Sequence, residues 1–383
     1  MPNTLDNLAA DIYTAADTVG RELTGFIPSV SMNSDSVRAA KGDTVRAAFT
    51  QAATSQDVDE SMTVPEGTDI TVDNKILTIS KSKAVQIPMT GEDAKHLSNG
   101  VGFETVYGDL IAQAMRVLAN EVEADLYAEG KANAYQAYGD NATDAFASDS
   151  FDLVADARQG LVDNGCPMDD VSLVMGTAAG ASLRKVAGLV RANEAGTASV
   201  REQGILLPIY GINCRESGGV SIHTSSAAAS YAINATEAVG QTALTVDGGD
   251  TDFVGGDVIT IANDSTATQY VVNSHSSDTL ININGRGLKE AAADGDAITT
   301  EGGTFTHNLA FHRRAMELAV RAPALPEGGD QATDSLIVTD PRSGLVFEVR
   351  TYKGYRKSMI EVALAWGVKA WKPDFISSII HLK

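Results

Sequence analysis

Two cysteines in 383 residues, Cys166 and Cys214, are too few for a disulfide framework and fit a reducing compartment, so both are expected as free thiols. Basic residues are scarce. With 29 Lys+Arg against 50 Asp+Glu the formal charge is −21, which removes the positive footprint needed to grip nucleic-acid phosphates without regard to sequence. No segment approaches the roughly 18 consecutive apolar residues of a membrane span. The opening MPNTLDNLAADIYTAADTVG has acids but no basic start followed by an apolar stretch, so secretion through a signal peptide is not expected. Walker A, Gly-x-Gly-x-x-Gly, Gly-x-Ser-x-Gly and Cys-x-x-Cys patterns are all missing, which excludes the common nucleotide-binding and hydrolase readings. What is present is 43% hydrophobic content over a length that suits two or three domains.

Along the chain, apolar residues at steps of three and four (Leu5, Leu8, Ile12, Val19, Leu23) predict an amphipathic helix over 4–23. An extended arm follows to about residue 56, with GDTVRAAF (42–49) as a turn feeding a strand. Residues 68–89 alternate around Asp73-Asn74-Lys75 and read as a long hairpin with that triplet as its turn. Such a hairpin is marginal alone in water and needs a cover, which another chain could supply.

Val106, Leu110, Ala114, Leu118, Val122 and Leu126 predict a long helix over 104–132, about 40 Å of rod. A second helix over 151–163 has Ser150 as its cap and Asn164-Gly165 as its stop. The buried strand VSLVM (171–175), a short helix near 177–190 and a buried strand pair in ILLPIYGINC (205–214) complete an α+β middle. Composition then shifts. Residues 229–302 hold eleven acids against two bases and no Pro, Met, Trp or Cys. Short alternating runs (TALTV, DVITI, QYVVN, TLININ) recur between Gly/Asp/Ser turns, the pattern of an inserted small barrel or sandwich. Beyond it, 335–351 reads as strand, turn and strand, and the stretch from Met359 as a terminal strand closed by Pro373.

Few groups suggest chemistry. Asp247, Asp250 and Asp252 are weak calcium candidates, since clustered carboxylates suit a hard cation, but they lack EF-hand spacing and read better as a solvated turn. His307 and His312 would fall about 140° apart on a helix and would not chelate together. Cys166 lies at a helix end whose dipole does not favour a thiolate. Glu121 and Asp125, four apart on the long helix, read as a solvated face. No metal, cofactor or catalytic residue is assigned, and no enzyme activity is expected.

The order of elements resembles a phage major capsid protein of the Hong Kong 97 fold, in the branch of short-tailed double-stranded DNA phages with an inserted β domain. The carriers are GDTVRAAF, the 68–89 hairpin, the 104–132 helix, LVDNGCPMDDVSLVM, LLPIYGINCRES, THNLAFHRRAMELAVR, and DPRSGLVFEVRTY ahead of AWGVKAWKPDF. The resemblance implies an α+β fold. Residues 1–56 would be the N-terminal arm, 57–97 the extended hairpin loop, and 98–150 the spine helix with part of a peripheral domain. An axial domain would take 151–228, the inserted all-β domain 229–302, and 303–383 would return to both domains, with 304–334 and the terminal strand axial and 335–351 peripheral.

The implied function is self-assembly into an icosahedral shell of hexamers and pentamers around the genome. Ile70, Val72, Lys75, Leu77, Ile79, Lys81 and Lys83 are the candidates for contact between subunits. A scaffolding protein and a portal are expected partners, the DNA is enclosed without sequence-specific binding, and the site of action is the virion after assembly in the host cytoplasm. An acidic wall would repel phosphates and avoid trapping the entering genome. Two alternatives belong beside this reading: an encapsulin-like nanocompartment shell, and an acidic surface or adhesin protein whose β module binds a ligand.

Overall fold

The computed structural model describes residues 24–49 except 36, positions 55, 57, 58 and 60, then 73–93, 103–146, 150–191, 202–340 except 278, and 343–382. The helix expected over 4–23 and the hairpin strand expected over 68–72 lie outside the described residues.

Phe103–Asn133 is the long helix, within a residue of its predicted bounds and about 46 Å long at 1.5 Å per residue. Its buried stripe is Ile111, Met115, Leu118, Val122 and Leu126, whereas Leu110 and Val117 face outward. This stripe supports two sheets at once. A single core joins it to Val349, Ile360, Val362 and Leu364 of the smaller sheet and to Leu309, Phe311, Ile376 and Ile380 of the larger.

The smaller sheet is organised by Lys357–Ala370, fourteen residues of mostly buried sequence. It pairs antiparallel with Val346–Gly354 and Met316–Arg321, and with Lys81–Thr90 over ten residues. Ser31–Ser34 adds in parallel beside Met316–Arg321, and Ala332–Thr339 is an edge beside Val346–Gly354. In the larger sheet Thr304–His312 lies between Ile376–Leu382 and Val171–Met175, with Asn213–Glu216 beyond.

The alternating runs of the acidic segment become a ring. Val258–Ile261, Ala297–Thr300, Tyr231–Ile233, Ala243–Asp247, Leu280–Ile283 and Gln269–Ser277 pair in that order, and the last pairs back with the first. Closure removes the exposed edges of a short-stranded sheet. The ring has its own core, including Leu244, Val246, Ile259, Val272 and Ile281. Two asparagines dock it to the long helix. Asn284 Nδ2 donates to the carbonyl oxygens of Ala132 and Ala134, and Asn273 Nδ2 donates to Ala132, satisfying acceptors that a helix C-terminus leaves open.

Asp152–Asp163 ends as its sequence predicts. Gly165 adopts φ +79°, its N–H donates to Val162 O, and Cys166 N–H donates to Leu161 O, the two bonds of a Schellman stop. Its start differs from the expectation: the N-cap residue is Phe151, without a side-chain cap bond, and Ser150, one residue earlier, accepts through Oγ from Asp152 N at 3.0 Å.

Several expectations need correction. Asp73-Asn74-Lys75 is no turn: it opens strand Asp73–Thr78, which pairs antiparallel with Thr44–Phe49, so ladder pairing outweighs local turn preference. The expected return strand starts afresh at Lys81 and joins the smaller sheet. The 177–190 helix breaks into Thr177–Leu183 and Ala187–Val190. The 205–214 strand pair shrinks to one bridge between Ile209 and Ile212 around a Tyr210-Gly211 turn. The segment after Met359 is two strands, with Pro373–Phe375 as the corner between sheets, and Met316–Arg321 falls in the smaller sheet. His307 and His312 sit on a strand, where odd spacing puts them on opposite faces.

Gly367 fits the two-stranded pair against the smaller sheet. A Cβ there would stand 2.2 Å from Thr78 O and 2.9 Å from Leu77 Cδ2. Gly367→Ala is therefore expected to lower unfolding free energy by about 1–3 kcal/mol and to speed hydrogen exchange at Ile79 and Ser80, checked by chemical denaturation and exchange mass spectrometry.

Candidate assembly surface

Thr44–Phe49 and Asp73–Thr78 form a two-stranded ribbon whose strands pair with no other strand among the described residues. Period-two alternation divides its described side chains between two faces. Leu77 and the nearby Ile79 point inward and are fully buried with Ala39, Ala319 and Ala365, with Val45 and Trp371 packed alongside. Arg46 and Ile76 point outward, and Ile76 is 55% exposed. Lys75 Nζ lies 5.8 Å from the centre of the Trp371 ring, whose Nε1 donates to Glu317.

The seven contact candidates therefore divide. Ile70 and Val72 lie outside the described residues. Lys75 is on the ribbon. Leu77 and Ile79 are occupied within their own chain, while Lys81 and Lys83 are engaged with the long helix. Ile76 and Arg46 are the outward residues that sequence reasoning passes over, although the alternation Lys75-Ile76-Leu77 contains the signal.

The helix that holds the ribbon's root does so through its acids. Lys81 Nζ pairs with Asp125 at 2.7 Å and Lys83 Nζ with Glu121 at 2.6 Å. The match is geometric: four helical residues advance about 6 Å and two strand residues about 6.6 Å, so an i, i+4 acid pair meets an i, i+2 lysine pair. These acids are thus paired across elements rather than left as a plain solvated face. Being partly exposed, each pair is worth about 0–1 kcal/mol. Asp125 also accepts from Trp366 Nε1 at 2.8 Å, and Glu129 accepts from Ala370 N at 3.0 Å.

Glu123 is different. It is 1% exposed and accepts from Phe26 N at 3.1 Å, Ile27 N at 2.9 Å and Ser217 Oγ at 2.6 Å. Burial pushes its carboxyl above the usual range, and these bonds pull it partly back. Sequence reasoning misses it. Its one signal is position, four residues after Ala119 on the buried side of the helix.

A second buried polar chain lies where helix, ring and larger sheet meet. Lys131 Nζ is 3.2 Å from His223 Nδ1, and His223 Nε2 is 2.9 Å from Asp257 Oδ1. Asp257 is fully buried and held below the usual carboxylate range: burial opposes ionisation, but bonds from His223, Ser226 and Val254 outweigh it. His307, 5.2 Å from His223 between ring centres, bonds Ser378 Oγ and is held neutral by burial.

Neither cysteine is activated, because burial pushes Cys166 to about 11 and Cys214 to about 12. Asp247, Asp250 and Asp252 do not converge on a cation. Asp250 accepts from Ala229 N and Asp252 lies 3.3 Å from His275, and among the described residues no group of three or more His, Cys, Asp or Glu side chains could hold a metal. A polar cleft of about 310 Å³ between Asp152–Asp163 and residues 266–269 contains Tyr138, Asp156, Asp163 and Lys289 but no nucleophile and base in contact.

No protein-family model and no curated protein matches the chain. Among solved structures it is similar to the capsid of cyanophage P-SCSP1u, with a TM-score of 0.49 and 11% identity over 95% of this chain and 89% of that one. It is also similar to a structure from Mycobacterium phage Che8, with a TM-score of 0.46 and 15% identity over 88% and 85%. A virus-like particle from Pyrococcus furiosus gives 0.44 and 8% over 97% and 99%.

Removing the Glu123 acceptors leaves two buried backbone N–H groups unsatisfied. Glu123→Ala is expected to cost about 2–5 kcal/mol, and Glu123→Gln, which keeps one acceptor, roughly half that, read from denaturation midpoints. The folded pKa of His307 lies below its unfolded value, so below about pH 6.5 the unfolded state binds more protons and stability falls as pH falls. The expected slope is up to about 1.4 kcal/mol per pH unit for this group, measured by urea unfolding between pH 7 and 5.

Proposed function

We propose that this chain is the major coat protein of a double-stranded DNA phage, assembling with copies of itself into a closed icosahedral shell of hexamers and pentamers. One observation carries the reading: a two-stranded ribbon rooted in the chain's own core, with an apolar outer residue and, among the described residues, no further strand to complete it. Isolated ribbons are marginal in water, and the economical cover is a neighbouring copy. The role is structural, with burial and many weak contacts in place of turnover.

On this reading the arm runs over 1–56 and the extended loop over 57–97, with the arm strand Thr44–Phe49 paired to the loop strand Asp73–Thr78. The long helix and smaller sheet make the peripheral domain, the larger sheet the axial domain, and the 229–302 ring an inserted domain. A nanocompartment shell would share the ribbon. The acidic ring favours the phage coat. A scaffolding protein and a portal would be its partners during assembly in the host cytoplasm, and the enclosed DNA would meet a net negative wall.

Phe49 faces Asp73 in register, so residues 50–72 can be replaced by Asn-Gly, a two-residue turn that closes the ribbon. That variant is expected to remain a monomer with an unchanged denaturation midpoint while the full chain forms shells, as read by sedimentation velocity. Normal shells from the shortened chain would remove the ribbon's inter-subunit role.

A further inference from the structure

The polar cleft of about 310 Å³ lies where helix Asp152–Asp163 faces the ring, and strand Gln136–Tyr138, which pairs with ring strand Gln269–Ser277, joins the two walls. From the helix it receives Asp156, Gln159, Gly160 and Asp163, the i, i+3, i+4 and i+7 positions of one side. Gln269 Nε2 donates to Gly139 O at 2.9 Å, which holds the walls at a set separation.

Hydrogen-bonding capacity inside this cleft is left over. Gln136 is 2% exposed and its Oε1 accepts from Tyr138 Oη at 3.1 Å, but its Nε2 has no partner among the described residues. The helix makes room for both polar heads with a glycine: a Cβ at Gly160 would stand 3.0 Å from Gln136 Oε1 and 1.9 Å from Tyr138 Oη. Gln269 Oε1 is buried and equally without a partner, and its amide cannot turn over because Nε2 is committed to Gly139. Asp156, Asp163 and Lys289 make no side-chain hydrogen bond or ion pair among the described residues either. Amide groups left unpaired in a buried place cost free energy that a matching ligand returns.

The leftover groups define that ligand. Gln136 Nε2 needs an acceptor and Gln269 Oε1 needs a donor, and a hydroxyl is both. A carboxylate or phosphate would meet two unpaired aspartates, and an ammonium ion could not answer the Gln136 donor. Asp156 and Asp163 lie about 10.5 Å apart along the helix, too far to share one cation but placed to accept from hydroxyls on opposite sides of a ring. Leu153 and the Tyr138 side chain add apolar wall for its C–H faces. The volume lies at the lower end of the roughly 300–1,000 Å³ of small-molecule sites, which suits one sugar-sized ring.

We propose that the cleft between helix Asp152–Asp163 and the ring binds one polyhydroxylated ring, a pyranose or a cyclitol, through Gln136, Gln269, Asp156, Asp163 and Lys289. The proposal is independent of the self-assembly reading, since every group in it belongs to one subunit.

The test titrates the full chain with methyl α-glucoside, methyl α-mannoside, methyl β-galactoside, N-acetylglucosamine and myo-inositol, read by calorimetry and saturation-transfer NMR, with spermidine and inorganic phosphate as controls. At least one of the rings is expected to saturate a single site with a millimolar dissociation constant, and its identity distinguishes pyranose from cyclitol. Asp156→Ala and Lys289→Ala are expected to leave the denaturation midpoint unchanged and to weaken that binding about tenfold each. Gln136→Leu removes the unpaired donor and is expected to weaken it similarly; where this variant lowers the midpoint, the other two decide alone. No saturable binding of any ring up to about 50 mM, or binding that both charge variants leave unchanged, overturns the proposal. Spermidine or phosphate binding that a charge variant abolishes, while no ring binds, would make the cleft an ion site and equally overturn it.

Discussion

A carboxylate buried in the middle of a long helix must be given partners, and Glu123 takes them from two distant parts of the chain. Its oxygens hold the backbone of Phe26 and Ile27 from the N-terminal segment and the hydroxyl of Ser217. Leaving that charge unpaired would cost more than any single surface contact could return. The neighbouring acids extend the pattern: Glu121 and Asp125 fasten the strand that continues from the ribbon, and Glu129 the end of the central strand. The helix is thus a beam with an apolar side that seats two sheets and an acidic side that ties down what crosses it.

This arrangement gives the ribbon a fixed root and an unfinished outer part. Leu77 and Ile79 are spent inside the subunit, so what remains for a neighbour is the outward face and whatever the 50–72 segment adds. One such contact is weak. In the proposed shell every copy would both offer and receive a ribbon, so that weak contacts would act together and stabilise the assembly. A strongly negative subunit also resists unspecific association, which leaves specific contacts to decide the outcome.

Periodicity makes the long helix and the strands of the ring legible from sequence, because each depends on a repeating apolar pattern that burial alone imposes. Asp73-Asn74-Lys75 misleads for the opposite reason. Local turn preference is worth little beside six residues of ladder pairing with Thr44–Phe49, and pairing partners about thirty residues apart leave no local mark. Pro373 reads as the end of a strand but is a corner between sheets, since a proline marks a break without fixing the direction the chain takes beyond it. Glu123 has only its position on the helix, and its partners lie more than ninety residues away. The outward Ile76 is visible in the alternation, but which face of the ribbon is the inner one depends on Gly367 in a strand far along the chain.

Electron microscopy of the purified full-length chain, with sedimentation of the same sample, tests the central claim most directly. The account predicts closed particles of uniform size, in which amide exchange at Lys75 and Ile76 is slowed relative to the free subunit. A chain that remains a uniform monomer or dimer across protein and salt concentration, with those amides equally open throughout, would contradict it.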